Sequence, residues 1–307
     1  MKKIFHAIAF LIAKSFFYLF GFMPLWLLQL LGMIIGILLF MLPIRLRYYA
    51  SANIKLCFPE LNFWQRQKLL FFSLIETGKQ QVEAPVFWVR SAKHLNRLIK
   101  RISGFETLLV DYQKGKGMIF AGAHIGGYYL LNAFLAPRFP DTIWMYKPQK
   151  GVVETLTQHL RAQFGGRFVP TSREGVLAQL RNLRKGYGIG MSCDHNALES
   201  SGVFAPLFGI PVPTMTLLPR LAQKSQAATY FLLMERLSWA RGYHLHIWLM
   251  SDQIYNNDLV IAATAMNQAV EQAIRRCPTQ NEWLYRRFWD RPVGEKPLYK
   301  TQQKTQY

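Results

Sequence analysis

The chain has 307 residues, 51% of them apolar and 18% charged, with 22 Phe, 14 Tyr and 8 Trp. This excludes a disordered or low-complexity protein, because such chains cannot bury enough apolar surface to offset the entropy of ordering. The cysteines Cys57, Cys193 and Cys277 are too scattered for a disulfide framework or a zinc cluster, and 37 Lys and Arg against 17 Asp and Glu give a net charge of +20, which implies an acidic partner: nucleic acid, anionic lipid or an acidic carrier protein.

The N-terminus separates these partners. Residues Ile4–Phe22 form an almost wholly apolar run interrupted by His6, Lys14 and Ser15, and Pro24 opens a second run, Leu25–Leu42, with Gln29 as its one strongly polar side chain. About 20 apolar residues cross the hydrocarbon core of a bilayer, so each run is a candidate membrane helix; the continuation past Pro24 argues against a cleaved signal peptide. Pro24 suits a first helical turn and Pro43 a helix end. Lys14 is costly within the first run unless it snorkels or sits in an interface. The second run therefore reads as membrane-embedded, while the first spans, lies flat or forms half of a hairpin. Gly32 and Gly36 form a single G-x-x-x-G step, read here as chance. From Arg45 to Arg101 there are 11 Lys and Arg against 3 Asp and Glu, which keeps this region cytoplasmic and draws it to anionic headgroups. Two apolar runs favour a lipid surface over nucleic acid.

Beyond residue 50 the pattern alternates between helices and short apolar strands. Leu61–Gln81 recurs with helical spacing. Gly117–Ala123 reads as a buried strand, Leu130–Leu135 as a helix and Thr142–Tyr146 as a strand. Glu154–Phe164 is amphipathic, Gly175–Arg184 a helix, Tyr187–Cys193 a strand. Ala227–Leu233 and Tyr243–Met250 are further strands, and Leu259–Arg276 is a final helix stopped near Pro278. Helices between apolar strands predict an α/β domain with a mixed or parallel sheet flanked by helices, placed after the membrane-anchoring segment at 1–43 and occupying 44–307.

In open α/β sheets ligands collect beyond the carboxyl ends of strands, and two polar residues fall there: His124, directly after the strand GMIFAGA, and Asp194, after YGIGMSC. Either serves equally as a loop residue satisfying backbone groups. The glycine pair just beyond His124 shifts that balance, because Gly126 and Gly127 allow a tight turn that brings substrate or backbone close to the imidazole. His244 and His246 share one face of a strand; with no Cys or carboxylate cluster beside them in sequence they read as structural. Cys193, in a buried strand, reads as a small hydrophobe. No phosphate-cradling or dinucleotide-type glycine pattern is present.

The segment SGFETLLVDYQKGKGMIFAGAHIGGYYLL (103–131) resembles the core of the bacterial late lipid A acyltransferases of the lauroyl/myristoyl type. Four further stretches match in order. Asn53-Ile54-Lys55-Leu56-Cys57-Phe58-Pro59-Glu60 is similar to the stretch after the family's membrane helix. The strand running from Lys185-Gly186 to Asp194 resembles its strand ending in aspartate, and Gly202–Gly209 its glycine-bounded aromatic loop. Trp283-Leu284-Tyr285-Arg286-Arg287-Phe288 resembles its C-terminal Trp-x-x-Arg-Arg-Phe. The resemblance implies an acyltransferase-like fold and an O-acyltransferase that moves a fatty acyl chain from acyl carrier protein to a hydroxyl of a lipid A precursor. It would work on the cytoplasmic face of a bacterial inner membrane, with His124 as base and no cofactor or metal.

One departure concerns the chemistry. The family places a carboxylate five residues after the histidine, and here that position is Tyr129. A tyrosine is neutral near pH 7 and supplies no charge to stabilise an imidazolium. Asp194, at another strand end, is the alternative carboxylate for His124, or else a loop or substrate-orienting residue. Two other readings therefore stand beside the active enzyme: an impaired relative that binds lipid or carrier protein without turnover, and an acyltransferase for a different lipid or glycolipid acceptor. Arg161 resembles a substrate-contacting residue of the family. Lys147 suits a phosphate, and Arg286 and Arg287 suit acidic headgroups or carrier, or equally a structural ion-pair cluster.

Overall fold

The computed structural model describes residues 2–149, 151, 154–155, 167–197 and 201–300. Helix α1 (Lys2–Phe22) and α2 (Leu25–Met41) are followed by α3 (Arg45–Cys57) and the long α4 (Phe63–Val89). Next come α5 (Ala92–Leu98), β1 (Ile99–Ser103), α6 (Phe105–Gln113), β2 (Met118–Gly126), α7 (Tyr129–Leu135), β3 (Ile143–Tyr146) and β4 (Arg167–Pro170). The chain continues through α8 (Arg173–Arg184), β5 (Gly188–Ser192), β6 (Gly202–Leu207), β7 (Ile210–Met215) and α9 (Leu217–Ser225). It closes with β8 (Ala228–Arg236), β9 (Tyr243–Leu249) and α10 (Leu259–Arg276).

The principal sheet has seven strands in the order β1-β9-β8-β2-β5-β3-β4. Strands β8, β2, β5, β3 and β4 are mutually parallel, while β9 is antiparallel to β8 and β1 parallel to β9. The mixed α/β sheet expected from the alternating pattern is the one observed. Buried centrally, β2 is covered on both faces and so reads as an unbroken apolar run rather than an alternating one. Its side chains divide with the strand period of two: Ile119, Ala121, Ala123 and Ile125 join one core with α3, α9 and α10, and Met118 and Phe120 join a second with α7 and the C-terminal half of α4.

Several boundaries differ from the sequence reading for physical reasons. Helix α4 does not stop at Gln81 but runs through Pro85 to Val89, because its last turns bury Val86, Phe87 and Val89 and that packing outweighs the one backbone donor proline lacks. Asn62 caps its start in a reciprocal box with Gln65. Strand β2 extends to Gly126 with a register shift between Gly122 and Gly126, so His124 lies inside its distorted last segment rather than after it. The aromatic loop expected at 202–209 is a hairpin, β6 and β7, turned by Phe208 (φ 51°) and Gly209 (φ 74°), the two positive φ values a tight hairpin turn requires. The amphipathic stretch at Glu154–Phe164 lies mostly outside the described residues.

The N-terminal helices also correct an expectation. The Gly32–Gly36 step is a close helix contact, not chance: a Cβ on Gly32 would sit 2.4 Å from Lys79 Cα, one on Gly36 2.3 Å from Ile75 Cα, and one on Gly78 of α4 2.1 Å from the Gly32 carbonyl oxygen. Gln29 is buried in the same seam and donates to Glu83 Oε1 at 2.6 Å. Glu83 in turn receives Arg236 and Tyr243 from the sheet, and Arg236 also pairs with Glu76 at 2.6 Å. Among the described residues no single helix is long and apolar enough to cross a membrane. Phe10–Phe22 and Leu25–Met41 meet that criterion only together, bent by 112° at their junction. Lys14 lies beside the Phe10 and Tyr18 rings, with Nζ 6.0 and 5.7 Å from their centroids.

Candidate active site

Strands β2 and β5 are parallel neighbours, so their carboxyl ends open on one edge of the sheet, and the backbone N–H of Cys193 donates to the Gly122 carbonyl at 2.9 Å to hold the two ends together. That register delivers Asp194 to His124. The imidazole Nδ1 lies 2.9 Å from Asp194 Oδ1 and 3.2 Å from Oδ2, and the His124 backbone N–H donates to Oδ2 at 2.9 Å. The carboxylate thus grips both ring and backbone. Since an ionised carboxylate only accepts, Nδ1 carries a proton, and in the neutral form of the ring Nε2 is the free basic atom.

This contact sets the electrostatics. Burial disfavours a charged His124 ring, but the adjacent Asp194 carboxylate outweighs it and holds the pKa up at about 9. Burial likewise opposes ionisation of Asp194, and the His124 ring overcomes it, holding the carboxyl well below the usual carboxylate range. The pair is an imidazolium–carboxylate couple near neutral pH.

Aromatic rings fix the imidazole plane. His195 stacks on His124 at 4.2 Å between centroids and 6° between planes, Tyr285 stacks on the far side of His195 at 4.3 Å, and Tyr128 meets His124 edge-on at 4.8 Å. His195 Nε2 lies 3.1 Å from Glu282 Oε2, and the Tyr285 hydroxyl accepts from the Asn196 N–H at 3.0 Å. Sequence reasoning missed His195, Glu282 and Tyr285. The signal was the position of His195 next to Asp194 and of Tyr285 inside the C-terminal motif. The donor atoms of His124, Asp194 and His195 also lie within 4.8 Å of one another, although the hydrogen bonds within the pair already engage His124 Nδ1.

Asn53 explains why two distant motifs meet here. Its Nδ2 donates to the carbonyls of Trp283 at 2.7 Å and Tyr285 at 2.8 Å, and its Oδ1 accepts from the Tyr299 hydroxyl. The α3 stretch and the C-terminal stretch thereby form the wall behind Asp194.

Beside His124 lies a cavity of about 230 Å³. Its wall is chiefly aromatic and aliphatic, from Phe87 and Trp88 of α4, Phe120 of β2, Leu131 and Leu135 of α7, and Trp144 of β3. Gly122 and Gly190 also line it; a Cβ on Gly190 would lie 2.2 Å from the Trp144 ring, whereas one on Gly122 would come to 3.3 Å from the Leu131 side chain.

The other residues that the sequence nominated take different places around this cavity. Tyr129 begins α7 and lines it; its ring packs against Phe87, Trp88 and Tyr128, and Asp194, not Tyr129, orients the imidazole. The space beside Gly126 and Gly127 is filled by protein. Gly126 (φ 62°) adjoins the Met234 carbonyl, where a Cβ would come within 2.2 Å, and a Cβ on Gly127 would lie 2.5 Å from the Tyr243 ring. Lys147 is exposed just after β3, on the same edge of the sheet. Arg161 lies outside the described residues.

Arg287 does not face an outside partner. It is 7% exposed, donates to Asn196 Oδ1 at 2.6 Å and the Pro213 carbonyl at 2.8 Å, and burial lowers its pKa to about 10. Arg286 is exposed and lies over the Trp289 ring at 4.5 Å. Cys193 is wholly buried, which pushes its thiol well up and leaves it a small hydrophobe. Across from His244 and His246 stands Glu235, a carboxylate that their local sequence did not reveal.

Similarity to known proteins extends over most of the chain. The family model for bacterial lipid A biosynthesis acyltransferases matches residues 2–290. Among curated proteins, the chain is 26% identical over 251 residues to the lipid A biosynthesis palmitoleoyltransferase of Escherichia coli K12, covering 81% of each chain. It is 26% identical over 249 residues to the lauroyltransferase of the same organism, covering 80% of each. To a lipid A biosynthesis acyltransferase of Haemophilus influenzae it is 27% identical over 256 residues, 81% of this chain and 79% of that one.

Proposed function

The chain belongs to the bacterial lipid A biosynthesis acyltransferase family, and from that premise we propose that it moves a fatty acyl group from acyl carrier protein to a hydroxyl of a lipid A precursor at the cytoplasmic face of the inner membrane. The observation that carries this reading is the His124–Asp194 pair at the edge of an apolar cavity. His124 Nε2 removes the proton from the acceptor hydroxyl. The oxygen attacks the thioester carbonyl, the C–S bond breaks, and the imidazolium returns its proton to the departing thiolate. Asp194 keeps the Nδ1–H tautomer and balances the positive ring formed midway. The acyl chain occupies the cavity among Phe120, Leu131 and Trp144, where its methylenes leave water at about 0.8 kcal/mol each.

The reading of an impaired relative rests on Tyr129 in the acid position. Asp194 supplies the negative charge that Tyr129 lacks, which favours turnover. Lys147 and Arg161 are the proposed contacts to the phosphorylated acceptor, and the excess of basic residues favours both acidic partners. Mass spectrometry of lipid A from cells with and without the chain tests the reading. An added acyl group that disappears with His124→Ala is expected, and identical lipid A in all three cases would overturn it.

A further inference from the structure

The first candidate outside the site described is a cluster where β8 and β9 pair. Glu235 stands directly opposite His244 in the antiparallel register, and Leu233 opposite His246, so the period of two puts Glu235, His244 and His246 on one face. Their donor atoms all lie within 4.8 Å of one another. His246 Nε2 is 2.7 Å and His244 Nδ1 4.0 Å from the same oxygen, Glu235 Oε2. A tetrahedral zinc with bonds of about 2.0–2.1 Å needs ligand atoms about 3.3 Å apart. One separation is shorter than this and the other longer, and a rotation of the half-exposed Glu235 side chain changes both.

A hydrogen bond behind the cluster already orients one ring. His244 Nε2 lies 2.8 Å from the Ser103 hydroxyl on β1. With the ring donating there, Nδ1 keeps its lone pair toward Glu235, the arrangement in which a ligating imidazole gives its other N–H to the protein. The His244 and Glu235 side chains retain 16% and 30% exposure, a route for an ion and a water to complete the coordination. Two cationic groups oppose the ion: Arg276 Nε is 3.3 Å from His246 Nε2, and the Arg101 guanidinium on β1 also acts on His244. Arg276 is exposed at the end of α10 and free to swing into solvent.

We propose that Glu235, His244 and His246 form a binding site for a borderline divalent cation of the zinc class, which clasps β8 to β9 and, through Ser103, to the edge strand β1. Two imidazoles and a carboxylate select such an ion over magnesium or calcium. The cluster shares no residue with the His124–Asp194 pair or with the lining of its cavity, so a structural role is expected and acyl transfer is not expected to depend on the ion.

The test uses untagged full-length protein in detergent, loaded with zinc, passed over a chelating resin and assayed by elemental mass spectrometry. About one zinc per chain is expected for the wild type, with loss of most of it in His244→Asn and Glu235→Gln. Arg276→Gln, which removes one competing charge, should tighten binding at least several-fold. Cobalt(II) added to the wild type should give the visible absorption of a tetrahedral site, a readout that needs no variant to fold. No retained zinc and no such spectrum would overturn the proposal. So would equal retention by the two ligand variants, or loss in His195→Ala instead, which would place the ion beside His124.

Discussion

Asp194 and His124 are 70 residues apart and meet only because β2 and β5 are parallel neighbours whose ends coincide. Replacing Asp194 with Asn keeps the shape but removes the charge and favours the wrong tautomer. By analogy with a serine-protease triad, turnover should fall by up to about 10⁴-fold, whereas Tyr129→Phe should cost less than about tenfold, measured with purified carrier thioester and lipid acceptor. The pH profile carries a sign. Only the neutral ring is a base, so kcat/KM should rise with pH through about 9, and in Asp194→Asn, where burial of the ring is opposed only by the weaker pull of Glu282, the rising limb should move to lower pH at a much reduced maximum. For stability, a raised histidine pKa contributes fully below its unfolded value of about 6.5 and the contribution fades as pH climbs through about 9. The lowered carboxyl pKa of Asp194 contributes above its unfolded value of about 3.9 and fades toward strong acid. The Tm gap between wild type and Asp194→Asn should therefore be widest between about pH 4 and 6.5 and shrink toward pH 9. Both members of the pair were legible in the sequence, as polar residues closing apolar runs. His195 and Tyr285 had only their positions, beside Asp194 and inside the C-terminal motif, to mark them, because ring stacking between a strand end and a C-terminal segment leaves no local pattern of its own.

At the scale of elements, β2, β3, β5 and β8 of the parallel set were legible because their burial leaves short continuous apolar runs. The edge strands β1, exposed along most of its length, and β4, and the β6–β7 hairpin carry no such signal. The α2–α4 seam was visible as a glycine spacing, but its meaning required Gly78, 42 residues beyond Gly36 in sequence, to face it. A methyl at Gly78 meets backbone rather than a side chain that can move away, so Gly78→Ala should cost at least the 1–3 kcal/mol typical of overpacking, read as a lowered denaturation midpoint in detergent. Glu83→Ala leaves Arg236 buried without the carboxylate that takes both its Nε and Nη2. A loss of about 3–5 kcal/mol is expected, with α2 becoming more sensitive to protease.

For the whole molecule, α1 and α2 leave apolar side chains exposed, among them Phe16, Leu19, Phe22, Trp26, Leu30, Ile34 and Leu38, and Phe63 and Trp64 at the start of α4 are exposed as well. Exposed apolar side chains in this number, on a chain of net charge +20, fit a lipid interface with anionic headgroups. Flotation with vesicles should show binding that survives high salt, because the apolar contribution is unscreened, and that is stronger with anionic than zwitterionic lipid at low salt. Release by salt alone would mean that the helices lie elsewhere. The N-terminal helices and the α/β layer were legible separately in the sequence. Their joint was not, since Gln29, Glu83 and Arg236 come from three distant places.

That joint bears on how the protein is to be handled. A fragment begun after Pro43, the natural choice for making a water-soluble enzyme, would strip the lid from a groove floored by glycine and take away the amide that holds Glu83. Glu83, which holds Arg236 on the strand next to the one bearing His124, would lose that donor, so the shortened protein should precipitate or lie idle even in assays that supply detergent-dispersed substrate.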